Sequence, residues 1–279
     1  MPPYAPGVRE LVDRALAEDF GDGDLTSRAV VPEDARARAR FVQREPGVLA
    51  GLDVAEAVVA RVDRGVTFRV DAEEGAWRGP GAVAEVEGSA RSILAAERVA
   101  LNLLGQLSGV ATRTARFVAA VAGTGVEILD TRKTTPGLRS LERRAVVLGG
   151  GRNHRFGLFD HILVKENHAA LAGGVGEAAR RALEAAAPRV EVVVECATLA
   201  ELEEALAAGA PRVLLDNMSL EDLRAGVGHA AGRTVVEASG GVTLETVRAI
   251  AETGVDLISV GSLTHSAPAL DVSLELDPL

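Results

Sequence analysis

Val8, Leu11, Val12, Ala15 and Leu16 recur at the three- and four-residue spacing of an amphipathic helix, which predicts one over residues 7–19. Gly21-Asp22-Gly23-Asp24 ends it. Residues 35–41 alternate strictly between small or apolar side chains and arginine, the period of a strand with one guanidinium-studded face. Such a row is more often a solvated sheet surface than a polyanion site. Residues 52–62 read as a helix, 67–72 and 82–87 as strands, and 77–81 as a turn. These elements do not alternate regularly, so residues 1–108 predict a small α+β domain of open-sandwich type. A long helical stretch follows over 89–122, with Gly105 and Gly109 as candidate bends. Arg98 lies beside its apolar stripe, either facing a partner or snorkelling at a rim, and the pattern leaves both open.

After Gly123 the texture changes to short apolar runs separated by helical segments. Strands are predicted at 126–130, 161–165, 190–196, 212–216, 234–238 and 257–260. Helices are predicted at 175–187, 199–208, 220–225 and 244–253, with Thr198, Ser219 and Thr243 as N-caps. Continuous apolar strands alternating with helices imply a parallel sheet covered on its outside. The expected fold class is α/β. Residues 109–268 form an incomplete barrel of six strands, or seven if part of 145–148 also pairs.

Composition narrows the function. The 279 residues are 47% hydrophobic and 25% charged, as in a globular protein, and no run approaches the length of a membrane span. The opening stretch lacks the layout of a signal peptide, so a cytoplasmic location is expected. A single cysteine, Cys196, excludes an internal disulfide and a cysteine-rich zinc site, and reads as a buried inert thiol. A net charge of −10 with one Trp and one Tyr argues against nucleic acid. Within this acidic chain, residues 127–170 concentrate Arg132, Lys133, Arg139, Arg143, Arg144, Arg152, His154, Arg155 and Lys165. The whole sequence holds 28 Arg and only two Lys, both in that stretch. Lysine is kept where a compact point charge does what a planar fork cannot, and a small anion is the simplest partner for the stretch.

In an α/β barrel the site forms at the carboxyl ends of the strands. Those ends read Asp130-Thr131-Arg132-Lys133, Lys165-Glu166-Asn167, Glu195, Asp216-Asn217, Ser239-Gly240-Gly241 and Gly261-Ser262. The last two suit a phosphate held on backbone N–H groups, with His265 close by. Arg132, Arg155 and Lys165 suit carboxylates, and Glu195 with Asp216 suits Mg²⁺, which retains water and leans on substrate phosphates. Gly149-Gly150-Gly151 would let the loop bearing His154 approach a ligand. His161 and His168 read as structural and His229 as a surface residue. A phosphorylated sugar meeting an organic acid is the implied chemistry.

Several motifs carry a resemblance. They are ALAEDFGDGDLT (15–26), AERVALNLLGQLSGVAT (96–112), DTRKTTPGL (130–138), GGGRNHR (149–155), LVKENH (163–168), VEC (194–196), LDNM (215–218), EASGG (237–241) and VGSLTH (260–265). Together they resemble the quinolinate phosphoribosyltransferases, also called nicotinate-nucleotide pyrophosphorylases (carboxylating). The resemblance implies that residues 269–279 return to the N-terminal domain. It implies a homodimer in which Arg98 enters the neighbour's site, and transfer of phosphoribosyl from phosphoribosyl pyrophosphate to quinolinate with Mg²⁺. It further implies Lys133, Lys165, Glu195 and Asp216 as catalytic residues, with Glu195 and Asp216 toward metal. Arg98, Thr131, Arg132, His154, Arg155, Ser239, Gly240, Gly241, Gly261, Ser262 and His265 would bind substrates. Arg143-Arg144 depart from the family's usual lysine and aromatic. The rival readings are a paralogue acting on nicotinate or serving molybdenum uptake, and a Schiff-base lyase using Lys165.

Overall fold

The computed structural model describes residues 7–279, so residues 1–6 of the expected N-terminal domain lie outside the described part. Two compact units result. The first takes the described residues up to Ala115, Thr135–Gly150 and Ser266–Leu279; the second takes Arg116–Thr134 and Gly151–His265. Thr135–Gly150, read from sequence as part of the barrel, groups with the first unit.

In the first unit, helices α1 (Val8–Phe20), α2 (Leu25–Val30) and α3 (Leu52–Val62) accompany strands β1 (Arg36–Gln43), β2 (Gly47–Val48), β3 (Thr67–Val70), β4 (Trp77–Arg78) and β5 (Gly81–Ser89). The final strand, β12 (Val272–Pro278), completes an antiparallel sheet of order β12-β1-β5-β3. The alternation in β1 does what period two requires. Ala37, Ala39 and Phe41 are buried, while Arg36, Arg38 and Arg40 face out. Cross-strand register sets Arg38 opposite both Glu87 and Asp277, and its guanidinium meets Glu87 at 2.8 Å. Arg40 meets Asp277 at 3.2 Å and Arg44 meets Glu275 at 2.9 Å. This face is an ion-pair ladder in solvent.

Helix α4 (Ala90–Ala120) runs unbroken through Gly105 and Gly109. Their missing side chains admit a neighbouring segment. A Cβ on Gly109 would overlap the Pro268 carbonyl, and Leu270 N–H donates to the Gly105 carbonyl at 2.9 Å. Residues 145–148 are not a seventh strand. They close helix α5 (Arg139–Leu148), whose Leu141, Ala145 and Val146 are buried. The β-branched pair Val146-Val147 suggested a strand, but the apolar spacing across 141–146 is helical, and packing follows that spacing. Gly149 then sits where a Cβ would overlap the Ala111 carbonyl of α4.

In the second unit, β6 (Glu127–Leu129), β7 (His161–Val164), β8 (Glu191–Cys196), β9 (Arg212–Asp216), β10 (Val235–Ser239) and β11 (Leu257–Ser259) form a parallel sheet of order β6-β11-β10-β9-β8-β7. Successive strands are neighbours, and the last returns to the first, so the sheet curls into an α/β barrel left open between β6 and β7. A lone parallel bridge, Leu129 with Arg152, lengthens the β6 edge. Helices α6 (Glu166–Ala172), α7 (Val175–Ala185), α8 (Leu199–Ala207), α9 (Leu220–Ala230) and α10 (Val247–Ala251) fill the crossovers, and α11 (Ser262–His265) follows β11. Thr198 and Ser219 cap α8 and α9, accepting from the third residue onward at 3.2 and 3.1 Å. Thr243 instead opens a turn, and α10 starts later with Thr246 at its N-cap.

Candidate active site

One face of each barrel strand is packed under helices, as the buried Val192, Val194, Cys196, Val213 and Leu215 show. Alternation therefore sends Glu191, Val193 and Glu195 of β8, Arg212, Leu214 and Asp216 of β9, and Glu237 and Ser239 of β10 to the other face. Leu163, Val193 and Leu214 make an apolar cluster on that inner face. The polar members at the carboxyl ends, Lys165, Glu195, Asp216 and Ser239, are those the sequence picked out.

Lys165 Nζ donates to Glu195 Oε2 at 2.6 Å, with Glu195 largely enclosed and Lys165 half exposed. His168 supports this lysine from α6, because its Nδ1 accepts the Lys165 backbone N–H at 3.0 Å. Asp216 Oδ2 accepts from the Asn217 side chain at 2.7 Å. Asn217 has φ 53°, and its N–H donates to the Ser239 carbonyl at 2.9 Å, which locks the β9 exit against the β10 exit. Only glycine fits at 240: φ is +97°, and a Cβ there would overlap the Asn217 side-chain oxygen.

The β6 and β11 exits meet in the same way. Thr264 Oγ1 donates to the Lys133 carbonyl at 2.7 Å, and Thr131 Oγ1 accepts the Lys133 N–H at 3.1 Å. A Cβ on Gly261 would stand 3.2 Å from Lys133 Cδ and 3.3 Å from His265 Nε2. The bare backbone of Gly261 is thus flanked by an ammonium stem and an imidazole. Ser262 opens α11 directly after it.

Arg155 is 5% exposed, and its ordinary basicity is lowered first by burial and next by the charge of Arg132. Two guanidinium groups close enough to repel one another make this part of an acidic chain locally positive. His154 Nδ1 accepts the Arg155 N–H at 2.6 Å, and the His154 N–H donates to the fully buried Asp130 carboxylate at 2.7 Å.

Arg98 belongs to the first unit, exposed on α4, and no ion pair involves it among the described residues. Arg144 is a helix residue. It lies on α5 and grips Asp53 with both terminal nitrogens, one at 2.6 Å, and lies 3.6 Å from Glu74. The Asp53 hydrogen bonds raise its pKa further. His161 faces Glu191 at 3.6 Å, and His229 faces Glu203 at 2.7 Å in an exposed surface pair. Cys196 is fully buried and burial pushes its thiol up to about 12, so it is inert.

Sequence reasoning passed over Asp130, Arg212, Glu237, Ser259 and Thr264 as individual residues. Arg212 Nη2 meets Glu237 Oε2 at 2.7 Å and Arg212 Nη1 meets Glu191 at 3.2 Å, while the Ser259 hydroxyl donates to Glu237 Oε1. For Arg212 and Glu237 the signal was available: a charged residue on the inner face of an apolar parallel strand is enclosed by its own barrel. Among the described residues no group of three or more His, Cys, Asp or Glu could hold a metal, and no helix is long and apolar enough to cross a membrane.

Comparison with known proteins shows the family and the fold. Residues 24–108 match the N-terminal domain model of quinolinate phosphoribosyl transferase and residues 110–275 match its C-terminal domain model. A nicotinate-nucleotide pyrophosphorylase (carboxylating) of Mycobacterium leprae is 44% identical over 276 residues, 96% of this chain and 97% of that one. A probable nicotinate-nucleotide pyrophosphorylase (carboxylating) of Bacillus subtilis is 41% identical over 270 residues, 96% of this chain and 93% of that one. The crystal structure of NadC from Streptococcus pyogenes superposes with a TM-score of 0.94 at 40% identity, over the full length of both chains. With both of its domain models matched, the chain belongs to the quinolinate phosphoribosyltransferase family.

Proposed function

We propose that this protein joins quinolinate to phosphoribosyl pyrophosphate and decarboxylates the product, giving nicotinate mononucleotide, pyrophosphate and CO₂ for de novo NAD synthesis. The observation that carries this reading is the pairing of buried Arg155 with the like charge of Arg132 beside the Lys165–Glu195 pair. Family membership supplies the substrates, and the site supplies the reasons they fit.

Arg132 and Arg155, joined by Arg98 of a second copy, hold the two carboxylates of quinolinate, with Lys133 and His154 adjoining. Bidentate guanidinium contacts fix the ring in orientation as well as in place. The ring nitrogen is thereby aimed at the anomeric carbon, and its lone pair forms the N–C bond as the C–O bond to pyrophosphate breaks. Lys133 and Lys165 offset the charge that develops on the departing pyrophosphate. The 5′-phosphate rests on the backbone of Ser239, Gly240, Gly241, Gly261 and Ser262, with Thr131 and His265 at its margin. Once the nitrogen is quaternary it draws the electron pair released when the adjacent carboxylate leaves as CO₂, and a proton then takes that position.

The carboxylate set suits Mg²⁺ delivered on the substrate's pyrophosphate better than a metal caged by protein. Glu195 is already engaged by Lys165 and Asp216 by Asn217, and two such carboxylates are what a hydrated Mg²⁺ uses. When bound there, the ion would neutralise phosphate charge. A cytoplasmic location accords with a lone, buried cysteine.

Lys165 Nζ already donates to Glu195 at 2.6 Å, which disfavours a Schiff-base lyase, and the two guanidiniums exceed what a monocarboxylate such as nicotinate needs. Arg132→Ala tests the carboxylate role: the KM for quinolinate should rise at least tenfold, a typical cost of losing a charged hydrogen bond. A near-normal KM would remove Arg132 from the clamp.

A further inference from the structure

Glu237 has no part in the reaction described above, yet it is fully buried on the inner face of β10. Its Oε2 accepts Arg212 Nε at 3.0 Å and Nη2 at 2.7 Å, its Oε1 accepts from Ser259, and His154 Nε2 lies 3.6 Å from Oε2. Burial is the largest single influence on this carboxyl and would raise its pKa. The contact from His154 and the charge of Arg212 outweigh it, so the group is held below the ordinary carboxylate range.

The ring of His154 is hydrogen-bonded at Nδ1 and faces Glu237 with Nε2. Because Nδ1 accepts the Arg155 N–H at 2.6 Å, the neutral ring carries its hydrogen on Nε2, the nitrogen that faces Glu237. The His154 N–H is tied in turn to buried Asp130. A line of contacts thus runs from the buried carboxylate through the imidazole to the main chain at Arg155.

We propose that Glu237 is a positioning residue, which fixes the tautomer and orientation of His154 and, through the Nδ1 contact, the backbone from which Arg155 projects. Glu237 touches no substrate. Arg212 and Ser259 hold the carboxylate still, and Arg212 offsets its charge. This rests on the reading of Arg155 as part of the quinolinate clamp. It adds that the clamp is set from inside the barrel.

The test has two arms. In the first, Glu237→Gln should raise the KM for quinolinate on the order of tenfold, since displacement of a binding group costs that much or more, while the KM for phosphoribosyl pyrophosphate stays within about twofold. Combining it with His154→Ala should add nothing to His154→Ala alone, because both act through one ring. Equal losses in both KM values, or full additivity in the double variant, would overturn the proposal. In the second arm, the imidazole nitrogens of the unaltered protein are followed by ¹⁵N NMR at about pH 8, well above the ordinary imidazole range. His154 should show a protonated Nε2 and a bare Nδ1, and a protonated Nδ1 would overturn the proposal. This arm needs no substrate, so it decides the matter even if Glu237→Gln fails to fold. Failure of the unaltered protein to turn over quinolinate would sink the proposed function and leave the NMR result standing by itself.

Discussion

On β1, arginines alternate with buried Ala37, Ala39 and Phe41; on β8 and β9, Glu191, Glu195, Arg212 and Asp216 alternate with buried valines and leucines. The period is the same and the charged residues are of the same kinds. The surroundings differ. The charged face of β1 looks into water, where Arg38 finds Glu87 and Arg40 finds Asp277 across the strands. The charged face of the barrel strands looks inward, because helices already cover the other face. In water such pairs contribute little and are screened. In an enclosed barrel the same charges interact strongly and must be arranged, which is the condition for binding and chemistry.

Substitutions on the two faces should separate them. The largest effect is expected at Lys165, whose replacement by Ala should lower kcat/KM by about 10²–10³-fold, the usual cost of one group that stabilises developing charge. Its half-exposed side chain should leave Tm nearly unchanged in the same preparation. If kcat/KM falls no further than for Arg38→Ala, the contrast between the faces fails. Gly240→Ala should come next. With φ at +97° and Asn217 in the way, the change should cost roughly 1–3 kcal/mol of stability, read from denaturant unfolding, and weaken phosphate binding. Arg38→Ala should leave turnover intact and lower Tm by less than Gly240→Ala, by an amount that shrinks as salt is added.

Acid titration offers the finest discrimination. Glu237 in the barrel and Glu177 on α7 are both held below the ordinary carboxylate range. Glu177 falls from 4.5 to about 2, through its hydrogen bonds to Arg180 and Arg181. A depressed carboxyl stabilises the fold above its unfolded pKa and loses that contribution as pH falls through its folded pKa. Stability should therefore decline below about pH 4.3. The decline should be clearly shallower in Glu237→Gln and only slightly changed in Glu177→Gln, because solvent screens the exposed pair. Equal slopes for the two variants would contradict the account.

The strands and their order were legible because parallel strands covered by helices are apolar runs of fixed length with polar termini. The candidate site residues could be proposed for the same reason, since they stand just past those runs. What escaped were features that depend on distant chain. Gly109 was read only as a possible bend, and the need for a bare backbone there comes from the carbonyl of Pro268, over 150 residues away in sequence. Residues 145–148 looked like a strand because β-branching is visible locally, whereas the packing of α5 is not. Thr243 was read as a cap, but the turn it opens delays α10 to Val247. Glu237 stood inside a quoted motif without a role, because nothing local says that Arg212, Ser259 and His154 converge on it.

The central claim is that the inner, carboxyl-end face of this barrel joins quinolinate to phosphoribosyl pyrophosphate. Release of labelled CO₂ from quinolinate carrying the label in the carboxylate next to the ring nitrogen tests it most directly. The account predicts release that requires both phosphoribosyl pyrophosphate and Mg²⁺, forms nicotinate mononucleotide in equal amount, and is lost in Lys165→Ala. Release without phosphoribosyl pyrophosphate, or none from the unaltered protein with every component present, would contradict it.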